Sequence, residues 1–233
     1  MPRQGPLEWI DGNGWLVLSG SDTHRAGLTG EVDARLLTVA NLDRPLVVLL
    51  SEGERAAAEA VVQHFAALGG PAGAGFILAD LTARDLQRGE LPELLGEAGI
   101  LYLGGNSPLA LVERLRPSPF LKGMVRGFAT LQGLLIVGAG EVGRALGAWF
   151  MASDDQLVTG LNFLRSAIIA PHFTGSAQAT ELQQVLQARP GFVGLGIPRG
   201  VALALGPRGQ VQSWGNGEVT AVVKKQSSSQ VVK

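Results

Sequence analysis

The chemistry in this chain starts at Leu134-Leu-Ile-Val-Gly-Ala-Gly-Glu-Val-Gly143. An apolar run ends in Gly138-Ala-Gly-Glu141-Val-Gly143, and a helical pattern follows over Arg144 to Met151. Strand, tight turn and helix in that order are the shape of a nucleophile elbow. Small residues flank such a turn because the backbone passes close to itself. The tip of an elbow presents a Ser or Cys for attack on an acyl carbon. Here the tip residue is Glu141, with Gly140 one place before it. Neither bears a hydroxyl or a thiol, so the scaffold of a hydrolase is expected without its nucleophile.

Acyl transfer also needs a base and donors for a developing oxyanion. Backbone N–H groups can supply the donors. Gly104, Gly105 and Asn106 form a small-residue turn after an apolar run, and Val142 follows the elbow tip. Ser107, next in line, is open to two readings. It is a displaced hydroxyl nucleophile, or it caps the helix that begins at Pro108; Pro at the first helical position favours the cap.

Three histidines are present: His24, His64 and His172. His64 falls in an amphipathic helical pattern and reads as structural. His24 follows a Ser-Asp-Thr turn and reads as a loop residue at the rim of a cleft. With no cysteine and no His-x-x-x-His pair, no metal site is expected. Gly138-x-Gly140-x-x-Gly143 matches a dinucleotide fingerprint by letter. That fingerprint belongs to a first strand–helix turn, whereas this one follows about the fifth strand and lacks an acidic strand end some 20 residues on. No cofactor is expected.

Four segments together resemble the serine peptidase family of aspartyl dipeptidase (peptidase E) and cyanophycinase. They are Tyr102-Leu-Gly-Gly-Asn106, the elbow, Pro171-His-Phe-Thr174 and Gly194-Leu-Gly-Ile-Pro-Arg-Gly200. The resemblance spans about residues 14 to 223. It implies a class I glutamine amidotransferase-like fold: an α/β three-layer sandwich with a mostly parallel central sheet. It also implies that Glu141 stands at the family's serine, that His172 matches the base, and that Asp154 or Asp155 holds the place of the acid. Arg199 stands where the family has Glu. The two charge changes, at Glu141 and Arg199, suggest an ion pair across the former site. Function is then expected to be an inactive or repurposed ligand-binding homologue. The alternative is an active amide hydrolase with an altered catalytic set.

The elements that must position these residues are visible as alternating patterns. Trp15–Ser19, Leu46–Leu50, Gly75–Ala79, Gly99–Leu103 and Leu134–Val137 read as strands, and Arg55–Leu68 and Phe120–Gln132 as helices. Ser51 with Glu54 reads as a capping box for the first of these helices, and Asp80–Leu95 reads as an interrupted helix. Strand–helix alternation argues for a parallel sheet, with ligands bound beyond the strands' carboxyl ends. The later pieces read as strands at Ser166–Ala170, Gly191–Leu195 and Val201–Leu205, and as a terminal antiparallel meander over Val201–Val223.

The composition agrees: 233 residues, 46% hydrophobic, 17% charged and net charge −1. That suits one α/β domain over residues 1–225 with a polar tail at 226–233. It offers no electrostatic footprint for nucleic acid and no apolar run of membrane-spanning length. No secretory signal is visible, so a cytoplasmic location is expected. The expected partner is a small molecule or peptide, with a homodimer open on general grounds.

Overall fold

The computed structural model describes residues 3–4, 7–22, 29–88, 90–130, 134–152, 156–189 and 191–223. In chain order the elements are β1 (Arg3–Gln4), β2 (Leu7–Glu8), β3 (Trp15–Ser19), α1 (Gly30–Val39), β4 (Leu46–Leu50), α2 (Arg55–Ala67), β5 (Gly73–Ile77), α3 (Glu90–Glu97), β6 (Ile100–Gly104), α4 (Pro108–Leu115), α5 (Pro119–Thr130) and β7 (Leu135–Ala139). Then come β8 (Trp149–Met151), β9 (Leu157–Thr159), β10 (Ala167–Pro171), α6 (Ser176–Gln187), β11 (Val193–Ile197), β12 (Val201–Leu205), β13 (Val211–Gly215) and β14 (Thr220–Val223).

Seven strands form the central sheet in the order β13-β12-β3-β7-β6-β4-β5. The five from β3 to β5 are parallel, and β12 and β13 add an antiparallel edge. The parallel strands read as unbroken apolar runs because both of their faces are covered. Leu16, Leu18, Val47, Leu49, Leu101, Leu103 and Ile136 point to one side and pack with Leu91, Leu95, Leu111, Phe120, Met124 and Phe128 of α3, α4 and α5. Val17, Val48, Tyr102, Leu135 and Val137 point to the other and meet Val32, Leu36, Val61 and Phe65 of α1 and α2. Each large apolar side chain so buried contributes about 1.5–3 kcal/mol. The result is the expected three-layer α/β sandwich with a mostly parallel sheet.

A second sheet of three strands, β10-β11-β14, stands apart from the first. Its β10 and β11 are parallel and β14 returns antiparallel to β11. Helix α6 covers one face through Leu182 and Leu186, against Ile168, Phe173 and Val222.

Several local expectations are corrected. The terminal meander is split: β13 pairs with β12, but β14 joins the second sheet. The segment after the elbow is a 3-10 helix over Gly140–Leu146 followed by β8, not a longer α-helix. The region expected as an interrupted helix holds a short 3-10 turn at Leu78–Asp80 and α3 only from Glu90. Ser51 does not cap α2; the cap position is Glu54, with no side-chain cap bond.

Candidate functional site

Strands β3, β4, β6 and β7 all end at the same edge of the central sheet, in register: Ser19 opposite Ala139, Leu50 opposite Gly104 and Leu103 opposite Gly138. The loops that follow carry the polar residues singled out in the sequence. The end of β10 reaches the same edge, because the His172 N–H donates to the Gly20 carbonyl at 3.1 Å.

The elbow turns as its small residues require. A Cβ on Gly138 would meet Gly143 Cα at 2.9 Å, so strand and 3-10 helix touch backbone to backbone. The left-handed conformation falls on Gly140, with φ +55°. A Cβ there would lie 3.0 Å from Asp22 Oδ1. Asp22 is buried at the end of the β3 strand, and sequence reasoning passed over it as part of a turn.

Glu141 extends the other way. Its Oε2 accepts from Arg144 Nη1 at 2.9 Å, and its Oε1 lies 3.9 Å from His172 Nε2. All three side chains are about three-tenths exposed, at 31%, 28% and 27%. The structure therefore brings Glu141 and His172 together. It does not pair Glu141 with Arg199, which is exposed and forms no ion pair among the described residues. Arg144 wins because three residues along one turn is a neighbour on the same helical face. His172 itself has φ +53°, and its Nδ1 is buried with no hydrogen-bond partner among the described residues. Asp154 and Asp155, expected as the acid, lie outside the described residues, as do His24 and the tail 226–233.

The turn after β6 is held by a residue expected elsewhere. Ser51 Oγ accepts the Ser107 N–H at 3.2 Å. Gly105 is left-handed at φ +101°, and a Cβ on it would overlap that same hydroxyl. Ser107 Oγ accepts the Ala110 N–H at 3.3 Å, so this serine caps α4. Val142, expected as an oxyanion donor, is fully buried and lines neither of the two cavities beside the elbow.

Two cavities flank the elbow. One, of about 650 Å³, is lined by Glu141, Arg144, β10 and the inner face of α6. The other, of about 380 Å³, is lined by Asp22, Glu52, Gly105 and Asn106. Carboxylate and guanidinium on the first, with the His172 imidazole 3.9 Å from that carboxylate, and backbone turns on the second, are groups that can hold a polar ligand and move a proton. Among the described residues no cluster of three metal-ligating side chains exists, and no helix is long and apolar enough to cross a membrane.

No protein-family model and no curated protein matches this chain. A solved structure does: a peptidase from an acI-B1 Actinobacterium, 19% identical, aligned over 96% of this chain and 97% of its own with a TM-score of 0.71. The architecture of this chain is therefore a peptidase-like α/β fold over almost its entire length.

Proposed function

We propose that this chain is a peptidase E/cyanophycinase-like protein that has lost serine peptidase chemistry and uses the cleft beyond the strands to bind a ligand. One observation carries the reading. The strand-end turn that would present a nucleophile holds Gly140 at φ +55° and then Glu141. Across from it, the His172 imidazole faces the Glu141 carboxylate at 3.9 Å instead of a hydroxyl. A carboxylate at this place would repel an oxyanion, since like charge beside the developing charge raises the barrier that oxyanion donors lower.

A second reading rests on the same 3.9 Å approach: an amide hydrolase in which Glu141 and His172 form an altered acid–base pair. Incubation with a fluorophosphonate, Asp-Xaa dipeptides and activated esters separates the two. Loss of serine chemistry requires no labelled serine and no turnover. Turnover without labelling, abolished in His172→Ala, would favour the altered pair, and labelling of any serine would sink the proposal.

A further inference from the structure

Strand β13, Val-Gln-Ser-Trp-Gly, is one edge of the seven-stranded sheet, with β12 and β3 between it and the elbow strand β7. Among the described residues its ladder runs to β12 alone. The Gly206 N–H donates to the Gln210 carbonyl at 2.8 Å. In an antiparallel pair the residues two and four places on, Gln212 and Trp214, then bond to β12 as well, and Val211 and Ser213 turn their N–H and C=O outward. Val211 is 37% exposed and Ser213 is exposed. No backbone hydrogen bond reaches either from beyond the edge among the described residues. The chain that follows leaves the edge clear. Gly217 returns over the face of the sheet, where a Cβ on it would lie 2.7 Å from Val201 Cγ2, and its carbonyl accepts the Ser213 hydroxyl at 3.4 Å. Natural edges carry a Lys, a Pro or a bulge that stops another strand from adding. β13 has no charge and no Pro, and its register is continuous over all five residues.

Beside this edge runs a groove of about 610 Å³, with Glu31, Ala34, Arg35 and Thr38 of α1 on one wall and residues 212–215 on the other. Glu31 and Arg35 are one helical turn apart, in the order that favours a pair along the helix. They nevertheless form no ion pair among the described residues. The opposite edge of the same sheet, β5, is built differently. Its groove is about 270 Å³, and the charges on its helix, Arg55 and Glu59, are spent on each other at 3.0 Å. Two of the five β5 residues are glycine, which leaves pairing register weakly specified.

We infer that β13 is the contact between two copies of this chain, paired antiparallel about a twofold axis so that the two seven-stranded sheets become one. An isologous contact must be complementary to itself, and the charges on α1 meet that condition. Gly215 lies against α1, its Cβ position 3.1 Å from Val32 Cγ2. β13 runs parallel to β3, and α1 returns from β3, so helix and strand run in opposite directions. At rises of about 3.3 Å and 1.5 Å per residue, Trp214 stands level with about residue 34. An axis at this level sets Glu31 of each copy against Arg35 of the other, giving two equivalent ion pairs. Ala34, at the axis, is small enough for the two helices to approach. Ser213 supplies the outward N–H and C=O at the middle of the new ladder. Neither edge nor groove belongs to the cleft at Glu141, so this inference stands apart from the ligand-binding reading.

Sedimentation equilibrium of the full chain over about 1–100 μM, the span in which a weak specific interface saturates, should show monomer passing to dimer and nothing larger. Ser213→Pro should weaken association at least about tenfold, since the axis removes two outward N–H groups at once. Proline is accepted where a strand's N–H faces solvent, and an unchanged circular dichroism spectrum checks that the variant is folded. Arg35→Glu should weaken association about twofold to thirtyfold, the scale of two exposed ion pairs reversed, and adding Glu31→Arg should restore it. Arg55→Glu, on the opposite edge, should change nothing. A monomer at every concentration overturns the inference. So does a dimer indifferent to Ser213→Pro or to Arg35→Glu, or one that the charge exchange fails to restore. Growth beyond the dimer would mean edge pairing that does not close, β13 to β5, and would overturn it as well.

Discussion

Gly140 and Glu141 divide between them what a nucleophile needs. The left-handed backbone is at 140, and the side chain nearest His172 is at 141. A serine placed at 140 must adopt φ +55° and set its Cβ 3.0 Å from Asp22 Oδ1. Strain of this kind costs about 1–3 kcal/mol. Gly140→Ser should therefore lower the urea midpoint, while Glu141→Ser should leave it within about 1 kcal/mol of the parent, since it removes only a part-exposed pair. Because the side chain at 141 is the one that faces His172, Glu141→Ser is the variant expected to gain fluorophosphonate labelling. Labelling of Gly140→Ser alone would place the productive position one residue earlier. The turn was legible in the sequence because glycine spacing reports close backbone passage. The partner of Glu141 was not: matching one changed charge with another across the cleft overlooked Arg144, a closer partner on the same turn. Asp22 left no signal at all, because a Ser-Asp-Thr turn after a strand looks the same whether its carboxylate faces solvent or the elbow.

Helices α1 and α2 lie side by side on one face of the sheet and are tied by a polar contact inside an apolar layer. Asp33, 1% exposed, accepts from the Thr29 hydroxyl at 2.7 Å, and His64 Nε2 lies 2.9 Å from the same oxygen. A buried carboxylate is tolerated only when its hydrogen bonds are made. Asp33→Ala leaves both neighbours without their acceptor and should cost about 1.5–3 kcal/mol, the range for bonds to a charged group. His64→Gln should cost less than about 1 kcal/mol, because the imidazole is 30% exposed and water can replace it. Equal losses in chemical denaturation would show that the histidine, not the carboxylate, is the anchor. At this scale the sequence was readable where periodicity was strong: β3, β4, β6, β7 and α2 fall within two residues of where the apolar runs place them, whereas the strand expected at 75–79 lies at Gly73–Ile77 and gives way to a 3-10 turn. It misled where one pattern serves two structures. The apolar positions after the elbow suit a helix, yet they form a 3-10 turn and β8, whose pairing with β9 overrides local preference.

The seven-stranded and three-stranded sheets meet where the site is, and that meeting was invisible in the sequence. Strand β14 alternates in the same way whether it pairs with β13 or with β11; the choice is made by packing on α6, through Val222. The junction itself is Gly20. Its N–H donates to the Val201 carbonyl at 2.8 Å, and its carbonyl accepts from the His172 N–H at 3.1 Å. A Cβ at this position would overlap the carbonyl oxygen of Pro198, so the end of β3 and the loop after β11 approach as only glycine permits. Gly20→Ala must push these segments apart, at about 1–3 kcal/mol, the usual cost of overpacking. A domain of this size loses about 2–4 °C of Tm per kcal/mol. Because His172 hangs from the same carbonyl, the substitution should also shift the imidazole resonances of His172 in NMR. Gly96→Ala is the matched control: a Cβ there meets nothing within 4 Å, and in α3 the change should be neutral or stabilise by up to about 1 kcal/mol. If Gly20→Ala melts like the control and leaves His172 unmoved, the two sheets do not lean on each other through this glycine, and the placement of His172 beside Glu141 depends on β10 alone.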